Sequence, residues 1–318
     1  MQRWGKHPNG RQRYRCQSCG VNTIHKREDL TFKYRHLLYQ KWLLSKLTLS
    51  DFSYRYNITR RTLNNWFNQF RKIDVIPEPT FCADKILIVD GYYLEFGATV
   101  LIAQLPTNQT VSWLFTYAEN YSTWLELFNT IRDTPFAVVC DGQKGMLKAI
   151  RTRWPRAIIQ RCQFHVIHQV NILLTKHPEL VPSQHFKQLV NQISLVKTND
   201  DLKHWLVHYK QWHTQFGSFL KQKTYQQTLT PTGRQKWHYT HGRLHQAHSH
   251  LKNALPNLFH YLKIPAIPNT SNRIEGGINA QIQRHIDFHR GTNLFQRRQI
   301  IAALLKQKQS GKPTKNFP

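Results

Sequence analysis

Acidic side chains are scarce in this sequence. Asp and Glu number 17 against 45 Lys and Arg in 318 residues, a formal net charge of +28. A compact body this positive repels itself unless counterions or a polyanion screen it. A nucleic-acid backbone is the natural partner, because binding it releases counterions. Lys and Arg run through the whole chain, so a basic tail alone does not account for the charge. The scarcity makes each acid informative. An Asp at the end of an apolar strand calls for a reason, since burying it unpaired is costly.

Cysteine is sparse as well. Cys16, Cys19, Cys82, Cys140 and Cys162 are odd in number, and the chain is too long for a disulfide-stapled miniprotein. Long apolar runs are missing: none approaches the ~20 residues of a spanning helix, so no membrane partner is expected. The first residues, Met1-Gln2-Arg3-Trp4-Gly5-Lys6, are polar and basic rather than a secretory leader. Together these absences set the expectation of a reducing, cytoplasmic compartment. What is present suffices for a sizeable core, with 40% hydrophobic residues and frequent aromatics. The length allows two or three modest domains, or one large core with attachments.

Residues 1–27 read as a small basic module. Asn9-Gly10 is a turn signal. Cys16-Gln17-Ser18-Cys19-Gly20 has the shape of a zinc knuckle, in which two thiolates and a glycine wrap one side of a metal. One CxxC is half of a tetrahedral Zn²⁺ site. His7 and His25 can serve as further ligands, and the alternative is a pair of ordinary reduced thiols.

Residues 28–75 read as a helix-turn-helix domain. Apolar periodicity predicts a helix over 30–45. A short helix over Asp51–Tyr56 can be capped by Ser50, Asn57-Ile58-Thr59 reads as the turn, and Thr59 can cap a second helix over Arg60–Phe70. That helix presents Arg60, Arg61, Asn64 and Asn65 near its exposed side, residue types suited to major-groove edges. A plain three-helix packing unit is the alternative.

After Ile76-Pro77-Glu78-Pro79 the pattern changes to short strands. Candidates are Lys85–Gly91, Leu94–Leu105 and Thr110–Thr116, followed by a helix over 121–131. Phe136–Gly142 reads as a further strand, 143–153 as a helix and Ile158–Arg161 as a last short strand. Residues 166–262 are helical in character, with 222–241 expected as a loop or a poorly ordered part. Asn272–His285 and Leu294–Lys306 read as helices, and 307–318 as a loose basic tail. Periodicity thus supports a mixed α/β unit with a helical insertion.

Asp90 and Asp141 share one context, an apolar strand followed by Asp-Gly. On adjacent strands ending at one sheet edge, the two carboxylates stand side by side and repel. A divalent ion removes the repulsion, and hard oxygen ligands suit Mg²⁺ or Mn²⁺. A third acid completes a two-metal site. Glu275, at the start of a helix in Asn272-Arg273-Ile274-Glu275, is the outstanding candidate, with Asn272 near the same face. The plain alternatives are a turn after each strand and a Glu that meets a helix dipole. Asp84, Glu95, Asp133 and Asp287 are rival acids. Cys162 and His165, three apart, can share a helical face as an incomplete metal site or as buried packing. The histidines His238, His241, His245, His248 and His250 can face phosphate or metal, or be there by chance.

Taken in order, Asp90-Gly91, Asp141-Gly142, Cys162-Gln163-Phe164-His165 and Asn272–Glu275 resemble the mutator-type superfamily of insertion-sequence transposases. The likeness spans residues 82–300, and residues 3–70 resemble the zinc-binding variant of that group. The resemblance implies a ribonuclease-H-like catalytic domain over 82–165 and 268–306, with a large all-helical insertion over 166–262 between the second and third acids. It implies a triad of Asp90, Asp141 and Glu275 holding Mg²⁺ or Mn²⁺, with Cys162, His165 and Asn272 as supporting groups. Such enzymes bind the terminal inverted repeats of their own element and hydrolyse the strand at each end. They then join the freed 3′-hydroxyl to target DNA, as multimers on paired ends. A DNA-associated protein of a bacterial host, working as a homo-oligomer on double-stranded DNA, is the matching expectation. The zinc-binding variants carry an earlier CxxC that pairs with the later one. Only Cys16 and Cys19 stand here, so a partial ribbon with weak or no zinc is expected.

Three other readings keep the charge but change the chemistry. A ribonuclease-H-like nuclease or resolvase keeps the acids without strand joining. A basic DNA-binding regulator needs no clustered carboxylates. A structural ribonucleoprotein needs neither.

Overall fold

The computed structural model describes every residue except 9, 25–27, 230–234, 272–273 and 312–318, and leaves aside the side chains of 28–30, 228–229 and 274–276. Two compact units emerge. One is Met1–Ile76 with Ile282–Gln307, and the other is Pro77–Gln281 with Lys308–Gly311.

The first unit begins with a small antiparallel sheet, β1 (Gln2–Lys6), β2 (Gln12–Arg15) and β3 (Asn22–Ile24), in that spatial order. Its strands are too short and exposed to form a core, and the Cys16–Cys19 turn joins β2 to β3. Three helices follow: α1 (Glu28–Leu44), α2 (Leu49–Tyr56) and α3 (Arg60–Arg71). The start of α2 differs from expectation. Thr48, not Ser50, is its cap: the Thr48 hydroxyl accepts the Asp51 N–H at 3.2 Å, and the Asp51 carboxylate accepts the Thr48 N–H at 3.2 Å. This reciprocal pair satisfies two orphan donors at once, which a single Ser50 cannot do. Asn57 closes α2 in the left-handed region, and the Thr59 hydroxyl caps α3 by accepting the Thr62 N–H at 3.2 Å. Leu63, Phe67 and Phe70 of α3 are buried against Leu38, Tyr39, Trp42 and Phe52. Each such side chain contributes about 1.5–3 kcal/mol through burial.

The second unit is built on a mixed five-stranded sheet. Its strands are β4 (Ile86–Tyr93), β5 (Thr99–Gln104), β6 (Thr110–Thr116), β7 (Ala137–Cys140) and β8 (Ile158–Arg161), in the spatial order β6-β5-β4-β7-β8. β4, β5 and β6 are antiparallel neighbours, whereas β7 and β8 run parallel to β4. The expected strand over Leu94–Leu105 is shorter than its apolar pattern implied. Phe96 (φ 52°) and Gly97 (φ 79°) turn the chain in the left-handed region, and the Leu94 N–H reaches the Ala98 carbonyl at 2.8 Å. Helices α4 (Tyr121–Asn129) and α5 (Lys144–Arg153) cover one face of the sheet. Trp124, Phe128, Met146, Ile150 and Trp154 pack there on Leu87, Val89, Val138 and Cys140. Strand alternation turns Ile88, Asp90 and Val139 to the opposite face.

Next come α6 (Gln163–Leu174), α7 (Val181–Asn191), α8 (Asn199–Phe216), β9 (Lys223–Leu229), β10 (Gln235–Tyr239), α9 (Gly242–Ala254) and α10 (His260–Lys263). The helices share a second core, with Val166, Val170, Phe186, Trp205, Trp212, Leu244 and Leu251 buried together. The insertion is not all helical. Residues 222–241, expected as a loop, carry the antiparallel β9–β10 hairpin, whose backbone groups pair across the ribbon despite the lack of apolar alternation.

The chain closes with a π-helix, Ile274–Asn279, then α11 (Ala280–Phe288) and α12 (Leu294–Gln309). The Ile300 side chain of α12 is buried in the cluster of α1 and α3. No helix among the described residues is long and apolar enough to cross a membrane.

Candidate functional site

The sheet register brings two sequence-predicted acids together. Ile86, Leu87 and Ile88 of β4 pair with Ala137, Val138 and Val139 of β7 in parallel. Extended two residues past its last pair, the same register would set Asp90 opposite Asp141, which follows the end of β7. Neighbouring strands lie about 4.8 Å apart, and equal parity puts both residues on one face. Asp90 is 7% exposed, and its Oδ1 accepts the Gly91 N–H at 3.0 Å. Asp141 follows the last residue of β7, and its Oδ1 accepts the Gln143 N–H at 2.9 Å. Gly142 turns the chain with φ at 82°. A Cβ there would fall on the Arg161 guanidinium, which is buried and donates from Nε to the Asp141 carbonyl at 2.9 Å.

A third carboxylate lies in the field of Asp141, on the face of β4 opposite the Asp90 side chain, and sequence reasoning passed it over. The Glu119 oxygens sit 3.1 and 3.2 Å from where a Gly91 Cβ would stand, next to Asp90. Burial raises the Glu119 carboxyl above its ordinary range, and the Asp141 charge pushes it the same way, against a hydrogen bond from Trp124. Gln143 ties this corner together. Its Nε2 donates to the Glu119 carbonyl at 3.0 Å, and its Oε1 accepts from Trp124 Nε1 at 3.2 Å. Glu119 lacks the strand-then-Asp-Gly context that flagged the other two. Its only sequence signal is scarcity: an acid beside the helix-capping Asn120 in a basic chain. From α9, His250 also falls within the field of this corner. Burial lowers its proton affinity, the Arg161 charge adds to that, and Asp141 acts the opposite way.

The Ile274–Asn279 helix, which carries Glu275, packs against β4, the strand of Asp90. The Glu275 side chain and the whole of Asn272 lie outside the described residues. The segment leading to them is held firmly by the start of α6. The Gln163 N–H donates to the Asn269 carbonyl at 2.9 Å, and Asn269 Nδ2 donates to Gln163 Oε1 at 3.1 Å. The Ser271 N–H donates to Cys162 Sγ at 3.2 Å, and the Ser271 hydroxyl meets His165 Nδ1 at 3.4 Å. Burial pushes the Cys162 thiol up, but hydrogen bonds from His165 and Ser271 outweigh it and leave the thiol below its ordinary value. Cys162 and His165 thus meet at one point, with Ser271 as their shared partner.

The other predicted residues lie in the first unit. Arg60, Arg61 and Asn65 are exposed on α3, while Asn64 is half-buried and accepts from Arg71 at 3.1 Å. No acid occupies the first turn of α3, and both guanidiniums stand at the end where the helix dipole disfavours cations. An external anion there relieves that repulsion. Cys16 and Cys19 carry no disulfide. The Ser18 hydroxyl, 3.0 Å from Cys16 Sγ, and then Cys19 lower the Cys16 thiol to about 6. Of the two further candidate ligands, His7 and His25, the second lies outside the described residues. Among the described residues, no group of three or more His, Cys, Asp or Glu is arranged to hold a metal ion.

These features define a basic α/β protein with a mixed sheet and flanking helices, with Asp90 on β4 and Asp141 just after the parallel neighbour β7. Residues 107–243 match the family described as Transposase, Mutator family. The matched span includes Glu119, Asp141, Cys162 and His165, but neither Asp90 nor Glu275. No curated protein matches the chain.

Proposed function

We propose that this chain is a DNA transposase of the mutator type, with a ribonuclease-H-like core, that cuts and joins DNA strands at a divalent-metal site. The observation that carries the reading is the parallel register of β4 and β7, which extended two residues past its last pair sets Asp90, within β4, opposite Asp141, just after β7. The similarity over residues 107–243 and the charge of +28 support it.

The donor set fits Mg²⁺ or Mn²⁺. Asp90 and Asp141 offer hard oxygens, and two carboxylates brought close are what a divalent cation holds together. Glu275 would complete the set from the helix that packs on β4. Bound there, a divalent ion supplies Lewis acidity to the scissile phosphate and eases deprotonation of water. Asp90 is fixed by the sheet, and Asp141 by Gln143 and Arg161, so both carboxylates are held before substrate arrives. Cys162, His165 and Ser271 anchor the lead-in to Glu275. Basic surface, including Arg60 and Arg61 with the neutral amide of Asn65 beside them, holds phosphates, and the chain works as a homo-oligomer on paired element ends.

The test is strand cleavage of duplex DNA drawn from the flanks of the gene, in Mg²⁺, with binding measured in parallel. Asp90→Asn, Asp141→Asn and Glu275→Gln are each expected to abolish cleavage and strand joining while leaving DNA bound. Near-normal cleavage by any one variant removes that residue from the site. Cleavage without joining favours a nuclease, and binding without either favours a regulator.

A further inference from the structure

The β9–β10 hairpin presents a ladder of aromatic and cationic side chains that no core requires. Tyr225 pairs with Trp237 across the ribbon, and Lys223 pairs with Tyr239. Facing residues of an antiparallel pair share a face, and so do residues two apart. All four side chains therefore stand on one face. The Lys223 ammonium lies 3.8 Å over the Trp237 ring, and Trp237 meets Tyr239 edge-on at 5.2 Å. Tyr239 in turn stacks on His245 of α9 at 3.7 Å, and Thr224 and Thr240 hydrogen-bond at 2.8 Å. The base of the ladder is thus fixed to the helical part, while its outer rungs meet solvent. Tyr225 is 57% exposed and Trp237 44%.

Along the sequence that carries the hairpin, charge has one sign. No Asp or Glu occurs between Asp201 and Glu275, whereas Lys210, Lys221, Lys223, Lys236, Arg243 and Lys252 all fall there. A long stretch without a single acid is suited to a polyanion. Exposed flat rings among cations are suited to a polyanion with flat, accessible faces.

We infer that the hairpin binds DNA with unpaired bases, stacking them on Tyr225 and Trp237 while Lys223 and its neighbours meet the phosphates. This rests on the reading of DNA as the substrate and names the part of it this surface takes. An intact duplex exposes phosphates but keeps its base faces stacked inside, so it satisfies the cations and leaves the rings idle. A frayed end or single strand satisfies both, and stacking tolerates any base.

The test uses the full chain without divalent metal, so that DNA is bound but not cut. Fluorescence anisotropy compares a short blunt duplex with the same duplex bearing an unpaired 3′ tail. The wild type is expected to favour the tailed form. Tyr225→Ala and Trp237→Ala should each remove about tenfold of that preference while leaving blunt-duplex affinity unchanged. A 2-aminopurine base in the tail should be quenched by the wild type and not by the double variant. Unaltered circular dichroism establishes that each variant is folded, as expected for exposed rings. Equal affinity for both DNA forms overturns the inference, as does equal loss of both in the variants. If tail preference is missing from a protein that binds and cleaves DNA, only the hairpin's role fails. If no DNA is bound at low salt, the underlying reading fails with it.

Discussion

Gly142 is the most exacting position near the paired acids, and replacing it with alanine probes how Asp141 is held. Two costs add. The residue sits at φ 82°, in the left-handed region that alanine enters at about 1–2 kcal/mol. The new Cβ also displaces the buried Arg161 guanidinium from the Asp141 carbonyl, at about 1.5–3 kcal/mol for a charged hydrogen bond. The sum is about 2.5–5 kcal/mol. Gly97 supplies the control. It has nearly the same backbone, φ 79°, but nothing closer to its added Cβ than the Tyr117 carbonyl at 3.9 Å. Gly97→Ala should therefore cost only the backbone part, about 1–2 kcal/mol. Urea denaturation of both variants, followed by far-UV circular dichroism, measures the difference. If Gly142→Ala is no less stable than Gly97→Ala, Arg161 does not brace the Asp141 turn and the account of that corner is wrong.

Acid should loosen the helical insertion through His248. Burial, with His213, Lys252 and His245 nearby, lowers its pKa from 6.5 to about 4. The unfolded chain then binds the extra proton first, so stability is present above pH 6.5 and falls as pH drops toward 4, by no more than about 3 kcal/mol. His248→Gln should flatten that slope in melts taken across this range, and an unchanged slope would exclude His248 as its source. At the start of α6, Cys162→Ala leaves the buried Ser271 N–H without its acceptor, at about 1–3 kcal/mol, whereas Cys162→Ser keeps one. Equal stability of the two variants, read by urea melts, would refute that role. DNA binding should weaken steeply with salt in filter-binding assays, because phosphate contacts release counterions; a flat response would count against the charge argument.

Sequence carried the paired acids because each stands after an apolar strand and before a glycine, a pattern that survives without tertiary information. β6 and β8 were legible for the same reason: short apolar runs with sharp ends. Leu94–Leu105 misled because Leu94, Phe96 and Ala98 look like strand residues, while the turn at Phe96 and Gly97 is set by backbone dihedrals. The β9–β10 hairpin was hidden by polar composition, since its pairing is made by backbone groups and its rings face water. Glu119 was invisible because it reaches the acids through folding, from a loop with no motif. Thr48 was readable after all, since its spacing to Asp51 is that of a capping box.

Asp90 and Asp141 either bind a divalent ion together or do not. Titration of the full chain with Mn²⁺, followed by the electron paramagnetic resonance of the free ion, reads this with and without duplex DNA. The wild type should take up Mn²⁺ in competition with Mg²⁺, and Asp90→Asn and Asp141→Asn should each lose that uptake while remaining folded. Undiminished Mn²⁺ binding in both variants would contradict the account.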